Sequence, residues 1–240
     1  ADFIKVIATG AVLAPGTRPG ATELSEAALA AAVEEAAAQG THVAAHAHGT
    51  QGIVNAARAG ARSGEHGSLL DDEAADLLAE RGTYLVADIY NGDYIAVEGA
   101  RQGWPAETLA KNEATTQAQR DGFARAVKAG VKIAYGTDSG VYPHGWNARQ
   151  LPYMARHGMT AMAAIQSATV VAAELLGWQD RVGALAPGRL ADVIAVPGDP
   201  LADLELLADV PFVLQGGRVR KWEGGDPRAP LSAGGPYFRA

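Results

Sequence analysis

Three side chains able to bind a metal ion, His46, His66 and Asp138, each stand where a short apolar run ends. A fourth candidate, Lys5, lies inside such a run, Phe3-Ile4-Lys5-Val6-Ile7-Ala8. Alternation with a period of two turns Phe3, Lys5 and Ile7 to one face of a strand and Ile4 and Val6 to the other. An amine held among apolar groups gives up its proton readily. Once neutral it can react with carbon dioxide to form a carbamate, a two-oxygen ligand able to bridge two cations. The alternative is that Lys5 snorkels to water from a terminal strand. A single histidine is usually an ordinary core or surface residue. Several metal-capable groups at equivalent strand ends are a different matter, because parallel α/β sheets and barrels place their active sites at the carboxyl ends of the strands. The chain has no cysteine, so a metal must be held by imidazole, carboxylate or another oxygen ligand.

The elements that must carry these groups alternate regularly. Strands are expected over Phe3–Ala8, Thr41–Ala45, Ala61–Glu65, Thr83–Ala87 and Val131–Tyr135. Helices are expected from just after Glu23-Leu24-Ser25 to about Gln39, and over Gln51 to Ala59, Asp71 to Arg81, about Glu107 to Ala129, Ala148 to His157 and Thr160 to Leu176. This is a series of βαβ units, which suits either a doubly wound sheet or part of a barrel. Beyond Gly177 the pattern changes to turns, a strand at Val193–Val196 and a hairpin from Phe212 to Arg220 through Gly216-Gly217, implying a small all-β appendage.

Bulk properties exclude several classes. The 240 residues are 48% hydrophobic, enough for a sizeable core, so a disordered chain is not expected. Lys and Arg total 20 against 27 Asp and Glu, a net charge of −7, and there is no basic stripe to meet a nucleic acid. No apolar run is long enough to cross a bilayer, and a cytoplasmic location is the expectation.

Five segments together resemble the amidohydrolase superfamily. They are Ile4-Lys5-Val6 with Ala8-Thr9-Gly10, Ala45-His46-Ala47-His48-Gly49, Gly64-Glu65-His66-Gly67, Gly136-Thr137-Asp138-Ser139-Gly140, and Pro187-Gly188-Arg189-Leu190-Ala191-Asp192. Their order and spacing, more than any one motif, carry the resemblance, which is nearest to the imidazolonepropionase-like branch that includes prolidase-type dipeptidases and carboxypeptidases. It implies an α/β fold: strands four to eight of a (β/α)₈ TIM barrel over residues 1–182, part of a small C-terminal β-sandwich over 183–223, and an irregular tail over 224–240.

The same resemblance implies roles. Lys5 would be the carboxylated lysine bridging two divalent metals, most often zinc. His46 and His66 would bind the second metal. Asp138 would bind the first and act as general base, passing a proton from the attacking water to the leaving amine. His144 and Tyr90 are candidates for substrate binding, as is His48, each set against an ordinary packing or surface role. Arg149 could pair with an anionic group. The implied activity is hydrolysis of a C–N bond in a dipeptide, N-acyl amino acid or related small amide.

The pattern departs from the family at its start. The His-x-His pair of barrel strand one is missing, and His46-Ala47-His48 falls after Lys5, in the position of strand five. An upstream polypeptide carrying strands one to three is therefore an expected partner, as is assembly into a homo-oligomer. Two other readings stand beside the binuclear hydrolase: a mononuclear deaminase or imidazolone-type cyclic amidase of the same superfamily, and a non-catalytic remnant or subunit.

Overall fold

The computed structural model describes residues 2–224. Five parallel strands, β1 (Ile4–Ile7), β2 (Val43–Ala47), β3 (Ser63–His66), β4 (Tyr84–Ala87) and β5 (Ile133–Tyr135), lie side by side in chain order. Helices α1 (Glu26–Ala38), α2 (Thr50–Ala59) and α3 (Asp72–Arg81) make the first three crossovers. The fourth holds α4 (Asn91–Tyr94), which runs on as a π-helical turn over Ile95–Gly99, and then the long α5 (Ala106–Ala129). After β5 come α6 (Gln150–Arg156), α7 (Ala161–Ser167) and α8 (Val170–Leu175). Sequential parallel neighbours joined by helices are the pattern of a barrel segment, not of a doubly wound sheet, whose strand order reverses.

Local chemistry explains the boundaries. Ser25, Asp71 and Thr160 accept the N–H of Ala28, Ala74 and Ala163 and so cap α1, α3 and α7. Gly60, Gly82 and Gly130 end α2, α3 and α5 in the left-handed conformation that glycine adopts without strain. The expected single helix from Thr160 to Leu176 is two. The hydroxyls of Ser167 and Thr169 donate to the carbonyls of Ala164 and Ile165, and Thr169 leaves helical geometry at φ −125°, ψ −93°. The helical turn over residues 91–99 stands where the sequence reading places no element.

The core lies between the sheet and its helices and includes Leu29, Val43, Ile53, Leu78, Leu85, Phe123 and Met154. On β1 alternation holds: Ile4 and Val6 pack against this core, while Phe3, Lys5 and Ile7 are exposed on the other face. A second sheet, antiparallel, contains β6 (Val193–Ala195), β7 (Phe212–Gln215) and β8 (Arg218–Trp222). Gly216 and Gly217 form the two-residue turn between β7 and β8 with φ 56° and 75°, the positive pair a tight hairpin needs. The expected tail lies, apart from Gly224, outside the described residues. No helix among the described residues is long and apolar enough to cross a membrane.

Candidate metal centre

The parallel register explains how residues far apart in sequence meet. Ile7 pairs with His46, His46 with Glu65 and Ala47 with His66, so β1, β2 and β3 end at one level. His48 follows on the same face of the chain as His46. Its N–H donates to Thr9 Oγ1 at 2.9 Å, and Thr9 is wholly buried after β1. Three imidazoles gather here, with ring centroids 4.7 Å apart for His46–His48, 4.6 Å for His46–His66 and 4.5 Å for His48–His66. Each offers a nitrogen within 4.8 Å of those of the others. A second group, His66, Asp88 and Asp138, brings its ligand atoms together within the same distance.

Asp138, which follows the fifth strand, thus lies with His66 and Asp88. His48 lies deeper than a loop residue, 5% exposed, with Nδ1 2.7 Å from Ser68 Oγ. Lys5 is on the inward face, within electrostatic reach of His46 and His66. It is not buried among apolar groups in this chain: its side chain is 42% exposed and Nζ lies 3.7 Å from Glu65 Oε2. Barrel-facing residues of β1 have open space before them, so the desolvation invoked for Lys5 is not supplied by the described residues. Tyr90 is buried and packs edge-on against Tyr142 and Tyr153, with centroids 5.1 Å and 5.3 Å away. His144 is exposed in the loop after β5, where Nδ1 lies 3.2 Å from Ser139 Oγ. Arg149 lies over the Trp146 ring, 3.7 Å from its centroid.

Sequence reasoning misses Asp88. It follows β4 just as His46, His66 and Asp138 sit at the ends of their strands, and that equivalence was the available signal. The residue is 6% exposed and accepts hydrogen bonds from Asn91 Nδ2 and Gln119 Nε2, both at 2.7 Å. His66 Nδ1 stands 3.0 Å from Asp88 Oδ2, an attraction of charge more than of alignment, since Nδ1 has no well-formed hydrogen bond.

These neighbours set the protonation of the cluster. Burial, reinforced by His66 and Lys5, holds the His46 imidazole down at about 4. Burial and the two neighbouring imidazoles push His48 to about 2. Burial alone would also depress His66, but the charge of Asp88 overcomes it and raises that imidazole. Burial would raise the Asp88 carboxyl, and the charge of His66 outweighs this and lowers it to about 2. These shifts favour the neutral form of the His46 and His48 imidazoles and the charged form of the His66 ring beside Asp88.

Two features show that this donor set fits a metal ion. His46 Nε2 is buried without a hydrogen-bond partner, a costly state for a ring nitrogen unless something electrophilic faces it. Among the described residues His66 and Asp138 alone, apart from glycines, have positive φ, 73° and 47°. Strain of this kind, roughly 1–3 kcal/mol per residue, concentrates where a side chain must be aimed at a particular point. Nitrogen and carboxylate donors without thiolate are suited to zinc and related divalent ions.

Comparison with known proteins identifies the family. The amidohydrolase family model matches residues 1–221. Ochratoxinase of Aspergillus niger is 37% identical over 233 residues, covering 95% of this chain and 48% of the relative. The structure of a Xaa-Pro dipeptidase with bound methionine is 40% identical and superposes with a TM-score of 0.86, over 92% of this chain and 55% of that one. A prolidase complexed with N-methylphosphonate-L-proline is 35% identical with a TM-score of 0.87, over 93% and 55%. The chain thus spans about half the length of the relatives it matches. With the family model covering nearly every residue and the same folded core shared with prolidase-type structures, the chain belongs to the amidohydrolase family.

Proposed function

We propose that the chain forms the greater part of the catalytic centre of a metal-dependent hydrolase that cleaves the C–N bond of a dipeptide, N-acyl amino acid or related small amide. The observation that carries this reading is the convergence of His46, His48, His66, Asp88 and Asp138 from the carboxyl ends of the parallel strands. The dipeptidase and prolidase among the relatives support an amide bond as the target. Two divalent cations, most simply zinc, would be held by carboxylated Lys5, His46, His66 and Asp138, and supply Lewis acidity together with a water acidified toward neutral pH.

The chain's own residues do the rest. Asp138 takes the proton of the attacking water as the C–O bond forms and returns it to the departing nitrogen as the C–N bond breaks. His48, anchored through Nδ1 at Ser68, keeps Nε2 free to meet the substrate. His144 and Tyr90, on the loops after β5 and β4, would contribute to substrate binding. Carboxylation of Lys5 would replace the ammonium that now faces Glu65. The missing His-x-His pair, barrel strands one to three and the remainder of the β-sandwich would come from an upstream polypeptide, in keeping with the chain's half-length coverage of its relatives.

The test is metal analysis and intact mass of the purified protein, followed by hydrolysis of Xaa-Pro dipeptides and N-acyl amino acids before and after chelation. Bound zinc, a mass gain of one carboxyl group on Lys5 and chelator-sensitive turnover are expected. Turnover that survives complete metal removal would sink the proposal.

A further inference from the structure

We propose that Asp88 is the positioning residue of the centre, holding His66 with Nδ1 turned into the protein so that Nε2 is delivered to the metal side. Both carboxylate oxygens are already engaged. Oδ1 accepts from Gln119 Nε2 at 2.7 Å, and Oδ2 accepts from Asn91 Nδ2 at 2.7 Å while facing His66 Nδ1 at 3.0 Å. A carboxylate so occupied on both sides is a poor direct ligand and a good orienting group, as the second partner of a metal-bound imidazole commonly is.

The support continues outward. Gln119 is buried on α5, and the amide that binds Asp88 also approaches the carbonyl of His66 at 3.5 Å. Three residues on, at Gly122, a Cβ would come within 3.1 Å of the Gly67 carbonyl oxygen, so α5 passes directly beneath the His66-Gly67 turn. That turn has φ 73° and 61° at its two residues. One helix therefore braces the strained backbone of His66, and through Gln119 and Asp88 its ring. Asn112, also on α5, donates to the Gly92 carbonyl at 2.8 Å and ties down the segment bearing Asn91. Side chain and main chain of His66 are thus fixed by a single buried network from α5 and the start of α4.

The metal side of this inference rests on the hydrolase reading above; the ring orientation does not. In the metal-free intact chain at alkaline pH, long-range proton–nitrogen NMR should show neutral His66 carrying its proton on Nδ1. Finding it on Nε2 would overturn the inference without any variant being made. Asp88→Asn should disturb that tautomer and weaken zinc binding about 10–100-fold in a chelator competition. The cobalt-substituted variant should keep its coordination number; a changed number would make Asp88 a ligand and refute the positioning role. Should Asp88→Asn not fold, Gln119→Leu removes one of the groups that hold Asp88 and should show the same tautomer disturbance with a smaller loss of affinity. Unaltered zinc affinity in both folded variants would also overturn it. A wild-type chain that binds no zinc refutes the hydrolase reading, and the tautomer then decides the role of Asp88 independently.

Discussion

Gly49 offers a sharp test of how tightly the site is built. It follows His48 directly and precedes α2, and a Cβ there would fall 2.6 Å from the Gly20 carbonyl oxygen and 2.9 Å from its carbon. Both atoms are backbone, so no side-chain rotation relieves the clash. The loop bearing Gly20 is itself anchored, since the N–H groups of Gly10 and Ala21 donate to Ala21 and Arg18 carbonyls at 3.0 Å and 2.9 Å. Forced overpacking of this kind costs about 1–3 kcal/mol. Gly49 has φ −77°, which alanine adopts freely, so alanine regains about 0.4–1 kcal/mol through the unfolded chain. The net expectation for Gly49→Ala is a loss of about 1–2 kcal/mol, equivalent to a fall in Tm of roughly 2–8 °C for a chain of this size. Gly64→Ala is the matched control: a Cβ there meets nothing within 4 Å, and stability should hold or rise slightly. Urea unfolding followed by circular dichroism compares the pair. Equal midpoints would refute the claim that the turn after β2 is closed against the loop after β1.

Further outcomes follow from the same geometry. Phe123→Ala empties a fully buried site on α5 and should lower stability by about 3–5 kcal/mol, read by urea unfolding. In metal-free protein, His46 and His48 titrate well below the ordinary 6.5, so the unfolded chain takes up protons first as pH falls. Stability present above pH 6.5 should therefore drop toward pH 4, by up to about 1.4 kcal/mol per pH unit for each imidazole. His66 is raised, so its contribution is complete below 6.5 and is lost as pH climbs through its folded value. Urea midpoints that stay flat from pH 4 to 6.5 would contradict this account. Asp138→Asn should cut turnover by roughly 10²–10⁴ while leaving the fold intact, measured with whichever amide proves a substrate.

Much of this was legible in the sequence because the relevant information is periodic and local. Alternation along Phe3–Ile7 gave the inward face of β1, and the apolar runs ending in His46 and His66 gave two of the three clustered imidazoles. What escaped depends on neighbours distant in sequence. Lys5 has the inward parity, but its exposure is decided by what stands across from it. Asp88 is assigned by Gln119, 31 residues on, and by His66, neither of which its own segment announces. The break between α7 and α8 arises from hydroxyls that composition counts as tolerable in helices. His48, weighed as a loop residue or a substrate contact, is fixed inside by Thr9 and Ser68, both far from it along the chain.

The left-handed backbone at Asp138 has an evolutionary and practical corollary. Its side chain is exposed, so glycine at this position would relax an unfavourable dihedral while giving up almost no burial. If Asp138 has the catalytic role proposed above, folding and turnover pull in opposite directions at one codon. A library sorted only for yield or heat resistance would drift toward Asp138→Gly and collect well-behaved, inert proteins.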